Sequence, residues 1–170
     1  GLVDNTKELK RLQGTPDPTE ALASIPMLKV EDLDRQNKTI PLACSEESGT
    51  KILFHDLITN GIAYVDLGFN LRCLPPEYLP YLPLFGRALV EMGTEKEDFV
   101  KLTQRISRKT GGLRPQSFTS NIKDSRKSAA WLFLRGKGMS GQIENLINIV
   151  QDVLLTVKLD NRERFRQMVM

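Results

Sequence analysis

The sequence is poor in the residues that most often carry chemistry. Only two cysteines, Cys44 and Cys73, occur in 170 residues. That excludes a disulfide framework and points to reduced thiols in an intracellular compartment, either a bacterial cytoplasm or an organelle such as the mitochondrial matrix or chloroplast. His55 is the single histidine, so any Ser/His/Asp triad would have to use it. Its neighbour Asp56 would point to the opposite face of a strand. A zinc site from Cys44, Cys73 and His55 matches no known module spacing, and these residues are expected to be two small buried thiols and a polar strand residue. The charge excess is slight, 24 basic against 21 acidic side chains, too mild to argue for nucleic acid. No apolar run is long enough to span a bilayer. Gly1 to Gln13 is polar and helical, unlike a signal peptide, and reads as the interior of a longer protein. Internal repeats and low-complexity segments are missing.

An apolar share of 40% with 26% charged residues suits one ordinary domain with an appendage. Thr6–Gln13 reads as the end of a helix stopped at Gly14. Prolines 16, 18 and 26 mark a connector with a helical turn at Thr19–Ser24. Lys29–Pro41 is polar and expected to drape over a surface, with the regular domain beginning near Ile40. Ile52–Leu57 reads as a strand, Asn60-Gly61 as a turn, and Ile62–Leu71 as a half-buried strand of the same antiparallel hairpin. Pro75 and Pro76 open a helix that is regular from about Pro83 and stops at Gly93. Thr94-x-x-Glu97 reads as a capping box for a helix that ends at Gly111-Gly112. Strands are expected near Gly112–Ile122 and Ala129–Arg135, joined by the turn Lys123–Ser128. Ile143, Leu146, Ile147, Val150, Val153, Leu154 and Val157 form one apolar helical stripe. Asp160 or Asn161 caps a last helix. The predicted fold class is α+β: an antiparallel sheet with helices packed on one face.

Gly136, Gly138 and Gly141 have the G-x-G-x-x-G spacing of a dinucleotide fingerprint, with Asp160 downstream. That reading would make the chain a nucleotide-dependent oxidoreductase. It requires Thr156–Leu159 to be a parallel strand, yet the apolar stripe of the preceding helix runs through Val157. The favoured expectation is a sharp turn at Gly136 and Gly138, with Ser140 capping the next helix. Lys123, Arg126 and Lys127, with Arg105, Arg108, Lys109 and Arg114, make a basic region. Phe118 is the only aromatic within it, so a stacking platform for nucleic acid is not expected. The region reads as a solvated face, with a stand-alone peptide- or nucleic-acid-binding module as the rival.

The stretches TPDPTEALASIPMLKVEDL, HDLITNGIAYVDLGFNL, LPYLPLFGRALVEMGTEKEDFVKLTQRISRKTGG and LRGKGMSGQIENL closely resemble the presequence-protease branch of the pitrilysin/insulinase zinc metallopeptidases. The resemblance runs from about Glu8 to the end. It implies residues 1–45 as the end of a helical hairpin linker and connector. Residues 46–170 would be the start of a third, inactive domain, similar to the repeated metallopeptidase (LuxS/processing-peptidase-like) half-domain and incomplete at its C-terminus. Members of the branch carry zinc in their first domain, in an inverted His-x-x-Glu-His motif. Laid over that motif, Leu84, Arg87 and Ala88 stand where His, Glu and His would be. None can bind zinc or activate water. The resemblance thus implies a non-catalytic segment with no metal or cofactor of its own. Its partners would be the other domains of the same polypeptide and unstructured peptide substrates, with neither nucleic acid nor membrane. Its role would be to form part of a closed peptide chamber. The missing C-terminal part is expected to leave apolar surface exposed.

Overall fold

The computed structural model describes residues 1–36 and 38–170. Asn37, inside the expected polar stretch Lys29–Pro41, lies outside the described residues. The chain divides into two compact units, Gly1–Asp56 and Leu57–Met170.

The first unit contains helix α1 (Leu2–Gly14), the short helix α2 (Thr19–Ala23) and a two-stranded sheet. Strands β1 (Ala43–Glu47) and β2 (Thr50–Phe54) pair antiparallel, with Glu47 opposite Thr50. The connection is Ser48-Gly49, both at positive φ (50° and 77°). A two-residue loop of that handedness matches the twist of its strands. β2 therefore pairs backwards with β1, not forwards with the strand after Asn60-Gly61. The expected 52–57/62–71 hairpin does not form, although Asn60 and Gly61 do make a turn at positive φ. β1 had no sequence signal: "ACSEE" shows no apolar alternation. The expected domain boundary at 45/46 falls inside this strand. No described residue of the first unit is buried.

The second unit is an open three-stranded antiparallel sheet in the order β3-β5-β4, comprising β3 (Ile62–Asn70), β4 (Leu113–Asn121) and β5 (Ser128–Met139). Val65, Gly136 and Leu113 lie in one register row, and Leu67, Leu134 and Pro115 in the next. These rows face helices α3 (Leu82–Glu91), α4 (Phe99–Lys109) and α5 (Ile143–Leu155). The core joins Leu113 and Leu134 of the sheet to Leu89, Leu102, Leu146, Ile149, Val150 and Val153 of the helices. Alternate residues of β3, such as Tyr64 and Asp66, are exposed on the other face. This is the α+β layer expected from the sequence.

Pro76–Tyr81 is a 3-10 segment that hands over to α3 at Leu82, as the prolines at 80 and 83 require. Gly93 ends α3 at φ +86°, where a Cβ would lie 2.8 Å from the Phe99 amide nitrogen. The expected capping box at Thr94 and Glu97 does not form. The Thr94 amide instead donates to the Glu97 carbonyl at 2.8 Å, and Asp98 is the N-cap of α4, its carboxylate accepting from the Lys101 amide. Asn161 caps α6 (Arg162–Val169), its side chain accepting from the Arg164 amide.

Gly136 and Gly138 do not turn the chain. Both lie inside β5, which runs on to Met139 and pairs antiparallel with both neighbours. A Cβ on Gly136 would sit 2.7 Å from Leu146 Cδ1, so this glycine lets α5 approach the sheet. Ser140 is not the cap of α5; its amide donates to the Gly61 carbonyl at 2.8 Å, and Gln142 occupies the N-cap position. Thr156–Leu159 forms no strand, and Val157 makes only an isolated antiparallel bridge to Thr94. The parallel β-α-β unit that a dinucleotide fold needs does not exist in this sheet.

Candidate functional site

Leu84, Arg87 and Ala88 occupy one side of α3, at helical offsets of three and four residues. Ala88 is buried with Met92, just past the end of the same helix, and with Met168 of α6, and Leu84 packs against this cluster. Arg87 reaches around it. Its Nε and Nη2 donate to the two carboxylate oxygens of Glu91 at 3.2 and 3.0 Å, and its Nη1 donates to the Met168 carbonyl at 3.0 Å. Arg164 of α6 completes the arrangement from the other side. Its Nε donates to the Glu91 carbonyl at 2.9 Å, and its guanidinium lies 4.0 Å over the Phe99 ring. Its Nη2 is 3.8 Å from Glu91 Oε2.

The chemistry of this set is therefore cationic and donor-only. Leu84 and Ala88 have no donor atoms for a metal. The guanidinium groups stay protonated, and the Glu91 pairing holds that of Arg87 still more firmly so. The carboxylate of Glu91 is already committed to Arg87. These residues do not fit a zinc ion, and they offer no base for a water. They can fasten α6 to α3. Among the described residues, no group of three or more His, Cys, Asp or Glu side chains is placed to hold a metal ion.

A second polar cluster was not anticipated from the sequence. Asp152, on the buried side of α5 and only 5% exposed, accepts from Lys96 Nζ at 2.6 Å and from Arg105 Nη2 at 2.7 Å. Arg105 Nε also lies 2.8 Å from Glu97 Oε1. That contact is an ion pair without hydrogen-bond alignment, because both atoms lack a geometrically satisfactory partner. Burial alone would raise the Asp152 carboxyl pKa; the hydrogen bonds from Lys96 and Arg105 outweigh it and hold the group below the ordinary carboxylate value. The available signal was an acid set within the apolar stripe, between Val150 and Val153. A buried carboxylate needs partners, but nothing local says which.

The remaining sequence candidates separate. Arg105 belongs to the buried cluster, not to a solvated basic face. Lys123, Arg126 and Lys127 lie at the β4–β5 turn, whereas Arg108 and Lys109 end α4 beside the opposite end of β4. Nine strand residues put roughly 30 Å between those ends. Cys44 and Cys73 are both exposed free thiols, correcting the expectation that they are buried. His55 follows β2 and is not a strand residue; its Nδ1 lies 2.7 Å from the Pro41 carbonyl. Gly138 borders a shallow hollow of about 230 Å³ with Arg108, Lys109 and Lys137, at the C-terminal end of α4. That end repels anions and so does not suit a pyrophosphate.

The outer face of the sheet is richer than its sequence suggested. Phe118 does not stand alone. It meets Phe133 edge-on at 6.1 Å between centroids, and Phe133 stacks with Trp131 at 6.1 Å. Arg135 lies 6.0 Å from the Phe133 ring centre and pairs with Asp66 at 2.6 Å.

The family model for the associated region of the presequence-protease type of zinc peptidase (peptidase family M16, subfamily C, associated) matches residues 1–170. The chain is 39% identical over 168 residues to Presequence protease 1, chloroplastic/mitochondrial, of Arabidopsis thaliana, covering 99% of this chain and 16% of that protein. It is 36% identical over 169 residues to Protein HypA of Clostridium perfringens, covering 99% of the chain and 17% of the relative. The mitochondrial presequence protease of Danio rerio is 26% identical over 162 residues, covering 94% of the chain and 16% of the relative. The chain thus spans about one sixth of the length of these relatives.

Proposed function

Because this chain belongs to the peptidase-associated family that its whole length matches, we propose that it is a non-catalytic, structural segment of a zinc metalloendopeptidase. The parent enzyme degrades presequences and other unstructured peptides, and this segment helps to form the closed chamber that holds them. The parent acts in a bacterial cytoplasm or in an organelle, and the partners of the segment are the other domains of the same polypeptide. Metal, in this reading, belongs to another part of the parent.

One observation carries the non-catalytic part of this reading. The helix that should bear metal ligands in an active relative of the same design instead bears Leu84 and Ala88, packed on Met168, and Arg87, clamped to Glu91. Packing and pairing consume the very positions at which catalysis would need free donors. The family match supports membership in a peptidase, and the names of the relatives support the substrate class. No helix among the described residues is long and apolar enough to cross a membrane.

The test uses the chain as it is. Metal analysis after dialysis against zinc, together with a quenched-fluorescence peptide assay, should show neither bound zinc nor cleavage. Stoichiometric zinc, with cleavage abolished by a chelator, would overturn the proposal.

A further inference from the structure

The solvated face of a sheet in an α+β layer usually carries small or polar side chains. Here the row Asn70, Trp131, Phe118 and the row Gly68, Phe133, Gln116 run across the three strands, so that aromatic rings cover the middle of the outer face. The rings are set in place. A Cβ on Gly68 would come within 2.8 Å of Phe133 Cε1 and 3.2 Å of Trp131 Cε3, which means the rings lie flat over that bare backbone. Trp131 and Phe133 remain only partly buried, and Phe118 is exposed.

The charges beside the rings are predominantly positive. Arg114 and Arg135 share a register row with Asp66, and Lys137 stands in the next row with Tyr64. Arg135 is neutralised by Asp66, which leaves Arg114 and Lys137 exposed on the same side of the sheet. Tyr, Trp, Phe and Arg are the residues enriched where proteins recognise partners, while lasting apolar interfaces exclude charge from their centre.

We propose that this outer face, centred on Trp131 and Phe133, is a contact surface for an extended polypeptide segment carrying acidic and apolar side chains. Its rings take the apolar groups, and Arg114 and Lys137 select the acidic ones. The inference rests on the reading of the chain as part of a peptide-degrading enzyme. It adds which surface meets the peptide and which charge that surface favours.

Trp131 is the only tryptophan of the chain, so its emission reports on this face alone. The probe is a short unstructured peptide of Glu, Leu and Gly, free of aromatic residues, compared with its Lys counterpart and with a thymidine oligonucleotide. The Glu peptide should shift Trp131 emission saturably, and added salt should weaken it. Phe133→Ala should lower affinity by up to about tenfold, the loss of one aromatic contact. Arg114→Glu with Lys137→Glu, at exposed positions that leave the fold intact by circular dichroism, should transfer the preference to the Lys peptide.

The proposal is overturned by a silent Trp131, by equal binding of both peptides, or by a preference for the oligonucleotide. It is equally overturned if Trp131 is already shielded by self-association of the chain. Zinc uptake and cleavage by the chain would remove the earlier reading whatever Trp131 reports. A metal-free, inert chain with a silent Trp131 removes only this one.

Discussion

The two units of the chain are built from similar composition and reach opposite states. Gly1–Asp56 has two helices and a hairpin, with Leu2, Leu9, Leu12 and Leu22 exposed. Leu57–Met170 closes a core in which Leu102, Leu146 and Val153 are fully buried. Local signals are strong in both: a helix stop after Gly14, a positive-φ turn at Ser48-Gly49, caps at Asp98 and Asn161. Secondary structure therefore forms in both units, but only the second brings two apolar faces together. Short helices gain most of their stability from such packing and not from propensity. The first unit thus has elements without a core of its own.

That comparison can be broken at its strongest point. Leu146→Ala removes a side chain wedged between α5 and Gly136, and it should cost roughly 2–5 kcal/mol of stability by denaturant unfolding. A cost below about 1 kcal/mol would mean that the second unit is packed no better than the first.

The buried ion cluster gives a smaller effect. Asp152→Ala strands Arg105 with only Glu97 and should cost about 2–3 kcal/mol, less than the full penalty for a buried pair because Lys96 reaches solvent. The folded pKa of Asp152 is depressed, so its contribution is present above the ordinary carboxylate value of 3.8 and fades as pH falls below it. Wild type should accordingly lose stability relative to the variant as pH falls from about 5 toward about 3, with the two unfolding curves converging. Curves that stay parallel through this range would exclude the cluster as a stabilising device.

The smallest effect sharpens the other side of the contrast. Leu9→Ala on exposed α1 should change global stability by no more than about 0.5 kcal/mol. A loss comparable with that of Leu146→Ala would show that α1 packs against something that buries it.

Much of the second unit was legible in its residues. The stripe from Ile143 to Leu154 gave α5, Gly93 and Gly111-Gly112 gave helix ends, and the polar run Lys123–Ser128 gave the β4–β5 turn. These signals are contained in windows of a few residues, where periodicity and φ preferences act directly. Partner choice was less legible. The strand at 50–54 carried the alternation of a hairpin but not the identity of its mate, and β1 supplied that mate with no apolar pattern at all. The G-x-G-x-x-G spacing matched a fingerprint, yet its first glycine exists for contact with Leu146, and a spacing cannot display what lies across a helix–sheet interface.

Taken alone, the sequence determined the helix and strand segments, the α+β class, the want of metal ligands on α3 and the family resemblance, because each depends on residue identity or short-range order. Tertiary structure alone decided that Asp152 would meet Lys96 and Arg105, 56 and 47 residues away. It also decided that Arg87 would clamp the end of α6, and that Phe118, Trp131 and Phe133 would share one face. Such contacts depend on which strands pair and which helices cover them. Those choices are settled by burying apolar area over the whole unit, a sum that no single window of the chain contains.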